Sequence, residues 1–523
     1  MLKKILIYKE HLKNPNLIAV IIALLTTGFL RLQLLSGLPD SDAGVYTFAS
    51  QYIYNNLKDG EALASMPLHL YQFMTSWVYG LEVNQYILLR FIDGLVAIAA
   101  SIILFKVILK ESGNTVFAVI LMTALLILMN QPEIILYGYR NSIWAAFIPL
   151  FSALLIWQNS NIEDKYSFYS IGGLISLGVL LREPFLPFFI FAGIAILIGY
   201  GWRVLVKYLI GSAVVGFGVL GLMLMFRSWD LISLIDVYIL SGSIAATFNK
   251  ASITFTSFLP SIKSNWFIYS TATASIFYMI QLYSNDKNRV NMNRVSFWLL
   301  ITLIPILEII SKASFAYHYA NSLPGLAGLT ALGWRYMSNQ ESKRTKKIAI
   351  IGIGLISLII ILPIMDRKLI KSSYIISPLD AIQLVKFDIF RSPGFIEKSQ
   401  YLIAAKKIYE LAREDSTLAT TGLMAVLFPL TGLAPSSYAL HDLGKLFIKL
   451  NYDESKLIAM IEQHRPTIII TAGANIAYEK KLPKVIEKTN LYNKVGIING
   501  NQNIEYGWKF KNPGIIYRLK DFQ

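Results

Sequence analysis

Eight consecutive residues, Pro39-Asp40-Ser41-Asp42-Ala43-Gly44-Val45-Tyr46, hold two carboxylates with no basic residue beside them, directly after the first long apolar run of the chain. A carboxylate at the mouth of a membrane helix can take the proton of an incoming hydroxyl, the work of a general base. The same residue types also build turns, because Asp side chains bond their own backbone, so this segment could serve only to end the preceding helix. A second group is cationic: Arg140, Arg182 and His318 each fall at the end of an apolar run. Cations there can stabilise departing phosphate oxygens, or they can snorkel to the interface and meet lipid headgroups. A charge at bilayer depth costs enough to mark each as a candidate. Glu183 follows Arg182 and either orients it or binds an acceptor, while His69, on an otherwise aromatic stretch, serves either the site or the packing. Arg90 and Asp93 are spaced to pair within one helical turn, and Glu308, near Pro305, fits a bundle hydrogen bond or a cavity equally well.

The elements that must position these residues are membrane helices. The chain has 523 residues, of which 55% are hydrophobic and 15% charged, and its mean hydropathy of +0.52 lies far from that of a soluble domain. A hydrocarbon core of about 30 Å requires roughly 20 apolar residues per crossing. About eleven runs meet that length, near 17–36, 85–108, 114–131, 141–158, 167–182, 184–201, 205–226, 267–284, 295–311, 322–337 and 347–365. Positive charge is retained on the cytoplasmic side. Lys3, Lys4, Lys9 and Lys13 therefore hold the N-terminal segment inside, and every second loop should also be basic. Lys106 and Lys110, Arg203 and Lys207, Lys287, Arg289 and Arg294, and Lys343, Arg344, Lys346 and Lys347 follow that parity, with Glu163-Asp164-Lys165 the exception. The acidic segment and everything beyond about 367 then face the outer side. The net charge of +16 is thereby largely explained by topology rather than by nucleic acid, with a residual basic surplus outside that suits anionic headgroups or a lipid phosphate.

With no cysteine, disulfides, thiolate metal sites and thiol nucleophiles are excluded. The first apolar run is of spanning length with no small-residue cleavage site after it, and reads as a signal anchor. Beyond 367 the apolar runs shorten and charges return. A helix is predicted over 399–413, short buried strands over 416–421 and 467–471, and a helix over 453–464 capped by Asp453, together a small α/β domain. It carries no Gly-rich phosphate loop, nucleophile elbow or metal spacing, and Gly473-Ala474-Asn475 is too short to use. Between the first two spans, Ser41 and Gly44 predict a sharp turn, and 45–57 a helix with Tyr46, Phe48, Tyr52 and Tyr54 that can lie on the membrane surface. Met66-Pro67-Leu68-His69-Leu70-Tyr71-Gln72-Phe73 opens a shorter apolar helix, with proline in its first turn.

In order, a spanning helix, an acidic D-x-G-x-Y segment, a surface helix, a Pro-Leu helix start and Leu88-Leu89-Arg90-Phe91 resemble the GT-C superfamily of membrane glycosyltransferases. The resemblance is to the protein O-mannosyltransferase and aminoarabinose-transferase type, which uses polyprenyl-phosphate sugars. Asp42 matches the family aspartate and Tyr46 its tyrosine, whereas Ala43 replaces a common Glu and Met66-Pro67 replaces a Pro-Pro pair, leaving Asp40 as the substitute acid. Arg182-Glu183-Pro184 resembles the Lys/Arg-Pro element between mid-chain spans, and the run from His318 and Tyr319 to Pro324 resembles the His/Arg-Tyr-x-x-x-Leu-Pro opening of a late span. Leu427-Phe428-Pro429-Leu430-Thr431-Gly432 resembles the Leu-Tyr-Tyr-Leu-Thr-Gly run of bacterial members.

The resulting expectation is a polytopic α-helical membrane protein, GT-C-like, with a transmembrane domain over 1–366 and an extracytoplasmic α/β domain over 367–523. The expected activity is inverting transfer of a sugar from a polyprenyl-phosphate donor to a lipid-linked glycan, lipid A or protein at the outer face of a bacterial inner membrane. Asp42 is the expected base with Asp40 supporting it. Arg182, His318 and Arg140 hold the donor phosphate, and Tyr46, His69, Glu183 and Tyr319 contact substrate. No cofactor is expected; Asp40 and Asp42 could share a divalent cation through oxygen ligands, but no further acidic cluster completes a shell. A transporter or flippase of lipid-linked sugars would have a similar composition but commonly carries repeated halves, and none is evident. An O-antigen polymerase would place its main outer loop between spans rather than after the last.

Overall fold

The structure is a computed structural model that describes residues 14–35, 41–54, 70–81, 85–130, 141–159, 166–182, 185–227, 266–286, 290–311, 321–338, 400–421, 424–425, 427–471, 480–498 and 514–521. Its helices are α1 (Pro15–Leu35), α2 (Ser41–Tyr54), α3 (Leu70–Thr75), α4 (Gln85–Ser112), α5 (Thr115–Met129), α6 (Asn141–Asn159), α7 (Ser167–Leu181), α8 (Leu186–Tyr200), α9 (Trp202–Arg227), α10 (Trp266–Asn285), α11 (Met292–Ser311) and α12 (Leu323–Ser338). A short 3-10 helix, Ser76–Gly80, follows α3. Each predicted span from 17–36 through 322–337 coincides with one of these helices, and the run at 347–365 lies outside the described residues. Among the described residues, Leu88–Ser112 and Trp202–Met225 are long and apolar enough to cross a membrane, and shorter apolar helices include Thr115–Met129, Ser167–Leu181 and Leu186–Tyr200.

Two reversals need glycine: Gly113 between α4 and α5 has φ +68°, and Gly201 between α8 and α9 has φ +83°. After the first, Asn114 caps α5 by accepting the Phe117 N–H at 3.0 Å. Without a hydrophobic drive between helices in lipid, close approach of small residues holds the bundle together. A Cβ on Gly172 of α7 would fall on the Tyr208 carbonyl of α9, and one on Gly211 would fall on the Tyr169 carbonyl. Gly325 and Gly328 of α12 seat in the same way against Thr302 and Trp298 of α11.

One end of the bundle is tied by a polar cluster. Arg294 of α11 pairs with the buried Glu111 of α4 at 3.4 Å, Gln158 of α6 donates to the same carboxylate, Lys110 donates to Asn159, and Arg335 of α12 reaches the Lys110 carbonyl at 3.4 Å. These are ends that charge parity assigns to a single side. The starts of α4, α6 and α12 and the end of α7, capped by Arg182, therefore gather at the other end.

The C-terminal part is an α/β unit. It comprises α13 (Gln400–Leu411), β1 (Leu418–Ala419), α14 (Leu427–Thr431), a 3-10 helix (Tyr438–Asp442), α15 (Leu443–Lys449), α16 (Glu454–His464), β2 (Ile468–Thr471), α17 (Leu482–Lys488), β3 (Tyr492–Ile498) and β4 (Gly514–Leu519). The sheet order is β1-β2-β4-β3, with β1 parallel to β2 and β4 antiparallel to both its neighbours. Its core packs Phe447, Leu457, Ile461, Ile469, Val485 and Tyr517 between helices and sheet. Asp453 caps α16 as expected, accepting the Ser455 and Lys456 N–H groups at 3.0 and 3.2 Å. The pairing of β3 with β4 was not among the expectations.

The acidic segment differs from its reading as a loop. The helix begins at Ser41, so positions 42–44 lie within its first turn instead of before it. Ser and Asp suit that place, because the free N–H groups and the positive end of the helix dipole favour oxygen and negative charge. Nor does α2 lie simply on a membrane surface: Phe48, Ala49 and Ile53 are buried between the bundle and the C-terminal unit.

Candidate functional site

Layered contacts connect the acidic helix to the bundle end at Arg182. On one side α2 packs against α3 and the 3-10 helix 76–80. The Tyr79 hydroxyl donates to the Thr47 carbonyl at 2.8 Å, and the Ser50 and Thr75 hydroxyls lie 3.4 Å apart. Thr47, Ser50 and Thr75 are all buried, so these bonds fix α2 in a dry interface. Val78 in turn packs on Leu89 at the start of α4, and α3 meets α6 and α7.

Arg182 closes α7 with an extended backbone, its N–H bonded to the Gly178 and Val179 carbonyls at 3.0 and 3.1 Å. The side chain is buried, and a buried guanidinium supplies a fixed fork of donors suited to phosphate oxygens. Arg90 and Asp93 are also buried, one turn into α4 beside Leu89. Asn321 and Ser322 are buried directly before α12, where the Ser322 hydroxyl lies 3.5 Å from that of Tyr269.

The other side of α2 carries the C-terminal unit. The Phe48 ring stacks on Phe428 of α14 with centroids 4.2 Å apart and on His441 at 5.5 Å. Beneath this contact, β1 runs out into Thr420 and Thr421, both fully buried. The Thr420 hydroxyl donates to the His441 carbonyl at 2.7 Å, and the Leu443 N–H donates to the Thr420 carbonyl at 2.8 Å. The carboxyl end of the first parallel strand thus abuts the segment that touches the acidic helix. In open α/β sheets that end is where ligands bind.

Among the residues singled out from the sequence, the structure places Asp42 and Tyr46 on α2, with side chains outside the described set, and Arg182 buried at the neighbouring bundle end. Asp40, His69, Arg140, Glu183, His318 and Tyr319 lie outside the described residues. The glutamate at 308 falls within α11, its side chain likewise outside the described set. The sequence reading passed over His441 and Asp442, both buried: the His441 ring meets Phe48 of α2, and the 3-10 helix that carries the two residues packs on β1. An adjacent His-Asp pair soon after a predicted strand was the available signal. Among the described residues, no group of three or more His, Cys, Asp or Glu side chains is placed to hold a metal ion.

No family model matches the chain, and no curated protein matches it. Solved structures do match, among them the crystal structure of ArnT from Cupriavidus metallidurans bound to undecaprenyl phosphate. It is 11% identical, with a TM-score of 0.56 over 97% of this chain and 98% of that one. The likeness is one of fold: over 97% of its length the chain shares the architecture of that structure, as the resemblance of its acidic segment and later motifs leads one to expect.

Proposed function

We propose that this protein is a membrane glycosyltransferase that moves a sugar from a polyprenyl-phosphate donor to an acceptor hydroxyl or amine at the outer face of a bacterial inner membrane. The observation that carries the proposal is the end-to-end fold likeness to a structure that holds undecaprenyl phosphate. A buried Arg182 at the bundle end adjoining the acidic helix supports it. In this reading the Asp42 carboxylate takes the acceptor proton while the acceptor atom forms its bond to the anomeric carbon. The bond from that carbon to the phosphate oxygen breaks on the opposite face, so configuration inverts, and polyprenyl phosphate departs with the electron pair. Phosphate is a competent leaving group at neutral pH, so the step asks for charge stabilisation rather than a general acid. Arg182, His318 and Arg140 supply it. Asp40 supports Asp42, and Tyr46, His69, Glu183 and Tyr319 contact donor or acceptor. Lipid A, a lipid-linked glycan and protein are the acceptor classes, and the C-terminal unit covers the site. No cofactor is assigned to the step.

The test is sugar transfer by purified protein in detergent from polyprenyl-phosphate sugars to candidate acceptors. Asp42→Asn should lower turnover on the order of a hundredfold or more. Arg182→Ala should lower it comparably, and Arg182→Lys should restore part of it, because lysine keeps the charge but not the fork. Turnover unchanged in Asp42→Asn would remove Asp42 as the base. Movement of the lipid across vesicles by wild type without any transfer would replace the enzyme reading with a transporter.

A further inference from the structure

Helix α2 is held from two sides, and only one of them belongs to the bundle. Toward the bundle it is fixed by the Tyr79–Thr47 hydrogen bond and the Ser50–Thr75 contact. Toward the C-terminal unit, among the described side chains, the Phe48 ring is set against Phe428 and His441. All three rings are buried. Phe428 is secured from behind, since α14 packs on α13, and the backbone carrying His441 is tied to Thr420 by hydrogen bonds on both sides. We infer that Phe428 and His441 are positioning residues, a clamp by which the C-terminal unit sets the orientation of the helix that carries Asp42. This deepens the glycosyltransferase reading and rests on it for the role of Asp42.

Geometry makes the clamp consequential. Position 42 lies six residues from Phe48, about 9 Å along a helix. A tilt of roughly 6° about the stack would move position 42 by about 1 Å, and a misplacement of that size costs on the order of a hundredfold in rate. The C-terminal unit would then contribute to turnover without touching substrate through these rings. Its loss would appear in kcat, whereas an acceptor-recognition role would appear in KM.

The absence of cysteine lets the orientation be read without activity. Spin labels on Tyr54→Cys, at the exposed end of α2, and Tyr409→Cys, on the exposed face of α13, report the distance between the two elements by pulsed electron resonance. Phe428→Ala and His441→Gln should broaden that distribution and lower kcat on the order of tenfold to a hundredfold, with KM for donor and for acceptor unchanged. Phe428→Leu keeps an apolar group at the buried site, guards against a variant that merely fails to fold, and should fall between wild type and Phe428→Ala. An unchanged distance distribution in folded Phe428→Ala and His441→Gln overturns the clamp. A broadened distribution with wild-type kcat overturns its role in turnover. A wild type that transfers no sugar, yet shows the narrow distribution that Phe428→Ala broadens, upholds the clamp and rejects the glycosyltransferase reading instead.

Discussion

At the scale of single residues, the chain uses burial differently in its two parts. In the bundle the buried charged side chains Arg90, Asp93, Glu111 and Arg182 lie toward helix ends, where polar partners can be reached. In the C-terminal unit the buried ionisable groups include phenols. Tyr517 lies under the sheet with its hydroxyl donating to Glu487 at 3.3 Å, and burial together with that carboxylate's charge pushes its titration well above the ordinary tyrosine range. Burial likewise raises Tyr492, with Arg465 opposing the effect. A phenol raised on folding favours the neutral, folded form. Its contribution is fully present below the unfolded value near 10 and is lost as pH rises beyond it toward the folded value. The thermal unfolding temperature of the purified protein should therefore fall steeply above about pH 10. The double variant Tyr492→Phe/Tyr517→Phe should show a shallower fall over the same range. Identical pH profiles for the two proteins would contradict this account.

At the scale of elements, the glycine crossings set the bundle. The crossing of α7 and α9 has no room for a Cβ at Gly172 or Gly211, where the nearest atoms are backbone carbonyls rather than flexible side-chain ends. Gly211→Leu should therefore destabilise the protein by about 1–3 kcal/mol, read as a lower melting temperature in detergent. The same change at Gly218 of α9, which meets nothing within 4 Å, should be close to neutral. The helices themselves were legible because apolar runs of spanning length have few alternative uses, and charge parity sorted their ends into the groups that the Glu111 cluster ties together. The start of α2 was misread because Asp, Ser and Gly mark both a turn and a helix N-terminus, and only the packing on either side of 47–53 decides between them. Strands β3 and β4 escaped for a different reason. β3 is an edge strand with Asn493 and Lys494 exposed and a bulge near Gly496, so it lacks an alternating pattern. β4 finds its partner β2 some 44 residues earlier in the chain. The part His441 plays against Phe48 is a contact across nearly four hundred residues, and no local pattern encodes it.

For the molecule as a whole, the candidate site requires three things on one side of a membrane: the acidic helix, the Arg182 end of the bundle, and the C-terminal unit. The contacts already place these together, through α3 on one face of α2 and α14 on the other. The proposed reading takes that side as the outer one, on an argument from charge. Lysine and arginine crowd the loops at the Glu111 end, and positive charge resists translocation. In that proposed reading a lipid-linked sugar would meet its acceptor where nucleotide sugars are scarce, in keeping with a sequence that carries no Gly-rich phosphate loop. The cysteine-free sequence allows a direct test by single-cysteine labelling in intact bacteria. Tyr409→Cys, exposed on α13, should react with a membrane-impermeant maleimide without any lysis. Asn285→Cys, exposed where α10 ends on the Glu111 side, should react only after the membrane is permeabilised. A reversed pattern would set the acidic helix and the C-terminal unit in the cytoplasm. Asp42 would then be on the wrong side of the membrane for the proposed transfer, even if every contact described between α2 and its neighbours were correct.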